Sequence, residues 1–269
     1  MLGRNPAGAQ KRRPAGKKSR QNNGVPMLIA FISDIHGNLP ALKAAVEGAK
    51  NQGVNKIICA GDVTGNGPFP SEVCNYLQEN NIHTISGNYD CKVLNVIQLG
   101  KSTADNLQKK KKELLIWTAK HINKPTQHFL EGLPFALEEE MPGGRKLLVV
   151  HGSPISNDDD IYPSITAFGL KAKLGDTHLN ILICGHTHIP FIKRIGGVFI
   201  VNCGSAGQPV DGDPRPSYAI VSIDEMAVRG HIVRFDYDVN EVVTALKNTS
   251  LPKGVQKDFT DGTKRRFLE

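Results

Sequence analysis

The sequence predicts an α/β protein built as a four-layer α-β-β-α sandwich of two facing mixed sheets. Three observations lead there. Residues 27–86 alternate short apolar runs with stretches of helical spacing, the β-α-β-α-β order of parallel strands joined by right-handed crossovers. From residue 135 the pattern becomes hairpin-rich, with turns at Pro142-Gly143-Gly144 and Gly196-Gly197. Five of the apolar runs also end on, or just before, a residue carrying an oxygen or nitrogen donor. Strand ends in open α/β sheets converge on one crevice, so these donors are expected to share one site.

The first strand, residues 27–33, leads through Asp34-Ile35-His36-Gly37-Asn38 into a helix. Leu39, Leu42, Ala45, Val46 and Ala49 follow helical spacing, Asn38 can cap, and Pro40 fits a first turn. The second strand, Lys56-Ile57-Ile58-Cys59-Ala60, stops at Gly61-Asp62 and a loop with further glycines at 65 and 67. A helix over 70–80 presents Val73, Tyr76 and Leu77 on one face, and a third strand over 82–86 reaches Gly87-Asn88. Residues 92–132 read as a helical insertion. Its four adjacent lysines, 109–112, circle a helix instead of forming a stripe, which predicts a solvated segment.

In the second half, runs at 135–140 and 146–150 form a hairpin ending at His151, and 164–174 is a short helix. Strands follow at 179–184, 190–195, 198–202, 217–223 and 228–236, with Gly185-His186-Thr187-His188 directly after the first of these. Residues 239–247 form a last amphipathic helix. The organisation expected is therefore a basic disordered tail (1–26), a single domain (27–250) and a loose, polar C-terminal segment (251–269).

The net charge of +7 belongs to the tail, whose seven cations and absent acids leave the remainder neutral. That tail lacks the apolar side chains needed to order itself. It is read as solvated, with Met27 a plausible alternative start and the tail an upstream extension or a cloning-derived remnant. A nucleic-acid-seeking arm or an organellar presequence is the competing reading. No apolar stretch approaches the roughly 18 residues of a membrane span, and no secretory signal is visible. Five scattered cysteines without a C-x-x-C pair point to a reducing compartment, so a cytoplasmic, membrane-free protein is expected.

The donor inventory at the strand ends is Asp34, His36, Asp62, Asn88, His151, His186 and His188. A lone histidine at such a place is more often a satisfied core or surface residue, which is how His83, His121, His128, His178 and His231 are read. The joint set is different. A carboxylate can bridge two cations, while an imidazole or amide offers one atom to one cation. One bridging Asp with six further donors suits two divalent transition-metal ions, Mn first, with Fe, Zn or Ni as alternatives since no thiolate is present. Such a pair can share a solvent molecule, lower its pKa from about 15.7 toward about 7, and direct the resulting hydroxide in line at phosphorus. The neutral Asn88 adds a donor without adding negative charge.

Asp34-Ile35-His36-Gly37-Asn38, Gly61-Asp62 with Gly67-Pro68, Gly87-Asn88-Tyr89-Asp90, His151-Gly152-Ser153-Pro154 and Gly185-His186-Thr187-His188 together resemble the five blocks of the calcineurin-like metallophosphoesterases. The similarity is greatest to the YfcE-like phosphodiesterase branch, and it spans about residues 27–240. Residues 202–209, with Asp211-Gly212-Asp213-Pro214-Arg215, resemble the loop that closes that branch's site. The resemblance implies the metallophosphoesterase fold. It also implies one ion on Asp34, His36, Asp62 and His188, and the other on Asp62, Asn88, His151 and His186.

One departure bears on the reaction. Protein phosphatases of the superfamily carry a His after the motif's Asn, where this chain has Tyr89, a phenol with an ordinary pKa near 10. Activated or aryl esters and phosphodiesters are therefore expected before phosphoserine, with a small or nucleotide-like phosphoester as partner. Asp62, Asn88, Tyr89 and Asp90 are the catalytic candidates, Asp90 by orienting a ligand; Asn38 and Arg215 are candidates for phosphoryl contact. A phosphomonoesterase (protein phosphatase or dinucleotide polyphosphate hydrolase) and a non-catalytic scaffold of the same fold are the alternatives.

Overall fold

A computed structural model of the chain describes residues 25–252 and 254–262. Residues 1–24 of the basic tail (1–26) and the last residues, 263–269, lie outside the described residues, and with them the expectation that the tail is solvated. Ten strands are described: β1 Met27–Ile32, β2 Lys56–Cys59, β3 His83–Thr84, β4 Ala136–Met141, β5 Arg145–Val150, β6 Ile181–Cys184, β7 Phe191–Ile195, β8 Val198–Asn202, β9 Ser217–Ile223 and β10 Val228–Arg234. The helices are α1 Leu39–Asn51, α2 Pro70–Glu79, α3 Asn88–Leu99, α4 Lys109–His121, α5 Lys124–Glu131, α6 Ala167–Leu174, α7 Val239–Lys247 and α8 Lys257–Thr260.

The strands form two five-stranded sheets, ordered β10-β9-β1-β2-β3 and β4-β5-β6-β8-β7. In the first, β1 is parallel to β2 and antiparallel to β9. In the second, β6 is parallel to both β5 and β8, with antiparallel strands at the edges. Both sheets are therefore mixed.

Strand alternation explains the layering. Successive side chains point to opposite faces, so a strand buried on both sides must feed two apolar layers. Ile29 and Phe31 of β1, Ile58 of β2, Leu147 and Val149 of β5, Ile181 and Ile183 of β6 and Val221 of β9 fill the layer between the sheets. Their neighbours Ala30, Ile32, Ile57, Cys59 and Ile220 face α1 and α2 in the first outer layer. Leu148, Val150, Leu182, Cys184 and Ile200 face α6, with Leu170, in the second. These three apolar layers separate four layers of backbone. Asn38 caps α1, its side chain accepting from the Ala41 N–H, and Pro40 stands in the first turn as expected. Among the described residues no helix is long and apolar enough to cross a membrane.

Three local expectations shift. The third strand is ladder-paired only over His83–Thr84, because beyond it the Ser86 N–H turns away to the Pro134 carbonyl. The helical insertion begins four residues early, so that Asn88, Tyr89 and Asp90 form the first turn of α3. The segment after Leu251, expected to be loose, instead seats Val255 and Phe259 among Leu114, Val242 and Leu246. Two apolar side chains in a polar stretch were too few to register as a pattern.

Candidate metal centre

The donors stand where β1, β2, β3, β5 and β6 end. The loops after β1 and β2 are joined backbone to backbone, through Asp34 N–H to the Gly61 carbonyl (3.0 Å), His36 N–H to the Asp62 carbonyl (2.9 Å) and Gly37 N–H to the Val63 carbonyl (3.0 Å). Asp34, His36, Asp62, His186 and His188 all adopt positive φ, between 50° and 65°. Only two other described non-glycine residues, Asn66 and Asn81, do so. Left-handed backbone costs an L-residue roughly 1–2 kcal/mol. Such outliers gather where surrounding structure enforces a functional geometry. Here they bring Asp34 with His36, and His186 with His188, to one cluster, while the intervening Ile35 packs in an apolar layer.

Two glycines permit the closest approaches. A Cβ on Gly87 would lie 2.1 Å from Asp62 Oδ1, and one on Gly185 would lie 2.4 Å from Asp34 Oδ2.

Each buried carboxylate divides its oxygens. Asp34 Oδ2 accepts from the His186 N–H (2.9 Å) and Asp62 Oδ1 from the Tyr89 N–H (2.7 Å). The other oxygens face imidazoles. Asp34 Oδ1 lies 3.1 Å from His188 Nε2, and 3.9 Å from both His36 Nε2 and His151 Nε2. Asp62 Oδ2 lies between His36 Nε2 (3.6 Å) and His151 Nε2 (3.5 Å). Two groups result, Asp34-His36-His188 and Asp34-Asp62-His151, each with its donor atoms within 4.8 Å of one another. Asp34 is common to both, whereas the family resemblance implies that Asp62 is the shared ligand. Asp62 nonetheless sits between two imidazoles through one oxygen, its second being held by Tyr89.

The hydrogen bonding of the histidines defines what fits there. His151 Nδ1 donates to the Ala60 carbonyl (2.8 Å) and His188 Nδ1 to the Gln208 carbonyl (2.6 Å). A carbonyl only accepts, so Nδ1 carries the hydrogen in both rings and the neutral tautomer presents a lone pair at Nε2. Those lone pairs face carboxylates. Asp34 Oδ1, fully buried, accepts no hydrogen bond. With neutral imidazoles the cluster is acceptor-only and calls for a proton or a metal ion, and mixed nitrogen and oxygen donors suit a divalent transition metal.

The protonation tendencies agree. Burial alone would raise the Asp34 and Asp62 carboxyls, but the histidines, led by His188 for Asp34 and by His151 for Asp62, hold both below the usual range. Burial lowers His151, yet the charges of Asp62 and Asp34 outweigh it and push the imidazole up to about 10. The two carboxylates therefore demand positive charge, from a proton or from a metal.

Asn88 and His186 stand beside these groups. Asn88 Oδ1 is 3.2 Å from His151 Nε2. The His186 ring meets that of His151 edge-on at 5.2 Å, while its Nε2 is 3.4 Å from Asp160 Oδ1. Tyr89 packs edge-on against His36 with ring centroids 5.1 Å apart. It also lines a cavity of about 450 Å³ that opens over Asp62, Asn88, His186 and His188.

The remaining candidates are placed elsewhere. Asp90 points away from the cluster and accepts from Val63 N–H, Thr64 N–H, Thr64 Oγ1 and Gly87 N–H. Burial, reinforced by the charge of Asp62, pushes its carboxyl up to about 6. It ties the Asp62 loop to α3. Asn38, expected at a phosphoryl group, is fully buried, with its amide donating to the Gly207 carbonyl and to Tyr237 Oη. Arg215, expected there too, grips Asp213 at the surface.

Several residues escaped the sequence reading. Lys92, Lys111, Asp158, Asp160 and Tyr162 line the cavity. Ser205 Oγ donates to the Asp34 carbonyl (2.6 Å), fastening the loop of residues 202–209 to the β1 corner. The acidic run Asn157-Asp158-Asp159-Asp160 after His151 was the available signal, and an acidic run is ordinarily a solvated one.

Residues 27–226 match the family model of the calcineurin-like phosphoesterase superfamily domain. An uncharacterized protein of Methanocaldococcus jannaschii is 32% identical over 246 residues, covering 85% of this chain and 96% of its own. The phosphodiesterase YfcE of Escherichia coli is 26% identical over 212 residues, 75% of this chain and 91% of its own. Among solved structures, a metallophosphoesterase from Sphaerobacter thermophilus superposes with a TM-score of 0.72 at 28% identity, over 88% of this chain and 99% of that one. A hypothetical protein from Pyrococcus horikoshii has a TM-score of 0.76 at 24% identity with the same coverage, a likeness of fold.

Proposed function

We infer the reaction from one premise: the chain belongs to the calcineurin-like phosphoesterase superfamily, in its YfcE-like branch, and is a metal-dependent phosphoric ester hydrolase. Within that class we assign hydrolysis of a phosphodiester. Two divalent transition ions, Mn foremost, are assigned to Asp34, His36, Asp62 and His188 and to Asp62, Asn88, His151 and His186. The observation that carries the assignment is the pair of imidazoles, His151 and His188, whose Nδ1–H groups are spent on backbone carbonyls while both Nε2 atoms confront buried carboxylates.

When bound, the ions supply Lewis acidity to phosphoryl oxygens and lower the pKa of water to near neutrality. The residues do the rest. Asp34 and Asp62 each keep one oxygen on a backbone N–H, so the oxygen offered to a cation is held in place before it arrives. Asp90 braces the Asp62 loop from behind. Tyr89 borders the cavity beside Asp62 and Asn88, where its hydroxyl can give a proton or a hydrogen bond to a departing ester oxygen. A phenol is a weak acid and expels a simple alkoxide slowly, so leaving groups that need little protonation are favoured, which supports an activated diester over phosphoserine. A substrate reaching from the donors into the cavity meets Leu107, Leu115, Tyr162 and Val210, a surface that suits a small or nucleotide-like ester arm. Free thiols at all five cysteines fit a reducing cytoplasm.

The test is turnover of bis-p-nitrophenyl phosphate against p-nitrophenyl phosphate, after chelation and readdition of Mn. Diester hydrolysis restored by metal and exceeding monoester hydrolysis is expected. Faster monoester turnover would transfer the protein to the phosphomonoesterases, and a metal-loaded protein inert to both would favour a scaffold.

A further inference from the structure

Asn88 is the only amide among the assigned donors, and an amide has two ends. Its oxygen can ligate a cation; its NH₂ cannot. The geometry around Asn88 decides between them. Its Nδ2 lies 2.7 Å from Asp158 Oδ1, and an ionised carboxylate only accepts hydrogen bonds. The NH₂ must therefore face Asp158, which leaves Oδ1 facing His151 Nε2 at 3.2 Å.

Asp158 is itself fixed. Asn88 opens α3 and Lys92 follows one turn later, so both project from one helix face. The Lys92 ammonium pairs with the same oxygen, Asp158 Oδ1. The adjoining Asn157 donates to the Ser86 carbonyl (3.1 Å), which pins the loop beside the end of β3.

We propose that Asp158 is a positioning residue: by holding the Asn88 amide through its NH₂, it turns the amide oxygen to the cation position that Asn88 shares with His151. The inference rests on the metal-centre reading above. Without Asp158 the amide is free to invert and aim its NH₂ at the ion. Partners of this kind typically contribute about 10–100-fold to metal affinity. The Asp158 side chain is 59% exposed, so its truncation leaves the core intact.

The experiment measures Mn binding to the chelated full-length chain by electron paramagnetic resonance, with the Mn dependence of diester turnover alongside. Asp158→Ala should weaken one Mn position by about 10–100-fold and shift the Mn requirement of turnover by the same factor, with the rate recovering at saturating Mn. Asp158→Asn retains an oxygen for the Asn88 NH₂ and should restore most of the loss. The double variant Asn88→Ala/Asp158→Ala should bind no more weakly than Asn88→Ala alone. Parent-like Mn binding by Asp158→Ala, or losses that simply multiply in the double variant, would overturn the proposal. A parent that binds no Mn would overturn the metal-centre reading itself.

Discussion

Replacing Asp90 by Ala should destabilise the protein severely even with no metal present. Its fully buried carboxylate accepts from Thr64 Oγ1 at 2.8 Å, Gly87 N–H at 2.9 Å, Thr64 N–H at 3.0 Å and Val63 N–H at 3.3 Å. An unpaired buried donor costs about 1–3 kcal/mol. The Thr64 hydroxyl can rotate and the Val63 bond is long, so the two short backbone bonds set the scale, about 2–6 kcal/mol. The raised carboxyl shows that burying this charge is itself unfavourable, which places the net loss toward the lower half of that range. About 3 kcal/mol is a large share of a typical 5–15 kcal/mol, and corresponds to a fall in Tm of about 6–12 °C for a domain of this size. The assay is urea and thermal unfolding of the chelated protein, so that lost metal affinity cannot masquerade as lost stability. A change under about 1 kcal/mol would refute the bracing role.

Gly87→Ala places a Cβ 2.1 Å from Asp62 Oδ1 and 2.2 Å from Asp62 N, so Asp62 must move; diester turnover should fall about 10²-fold, read by steady-state kinetics. Asp62→Asn should abolish Mn-dependent turnover and relieve the positive shift of His151, followed by NMR titration of the imidazole in the chelated protein. Tyr89→Phe should slow alkyl diesters by about 10²-fold while leaving p-nitrophenyl esters nearly unchanged; equal losses on both would remove the hydroxyl from leaving-group departure.

The layers were legible in the sequence because strands buried on both faces carry unbroken apolar runs, as in Ile29-Ala30-Phe31-Ile32 and Ile181-Leu182-Ile183-Cys184. The donor residues were legible because each follows such a run. What could not be read was how residues far apart engage one another. Asp158 meets Asn88 across 70 positions, and nothing local in Asn157-Asp158-Asp159-Asp160 distinguishes that contact from solvent exposure. Asn38 was visible as a cap, but not that Gly207 and Tyr237 would occupy its amide. Arg215 sits in a motif-like loop, yet Asp213 two residues away offers it a nearer partner. The left-handed corners at Asp34, His36, Asp62, His186 and His188 were hidden too, since none is a glycine and the surrounding hydrogen bonds impose the conformation.

The donors come unevenly from the two sheets: Asp34, His36, Asp62 and Asn88 follow strands of one, His151, His186 and His188 follow strands of the other. A cation seated among them would be a rivet through the sandwich, gripping two sheets that otherwise face each other through oil-like side chains. At a free concentration one hundred times its Kd, such an ion would add about 2.7 kcal/mol to the folded state, over and above the β1–β9 and β4–β5 ladders that also join the two parts of the chain. A chain cut in the surface turn at Pro142-Gly143-Gly144 should accordingly hold together in Mn and come apart more readily in chelator.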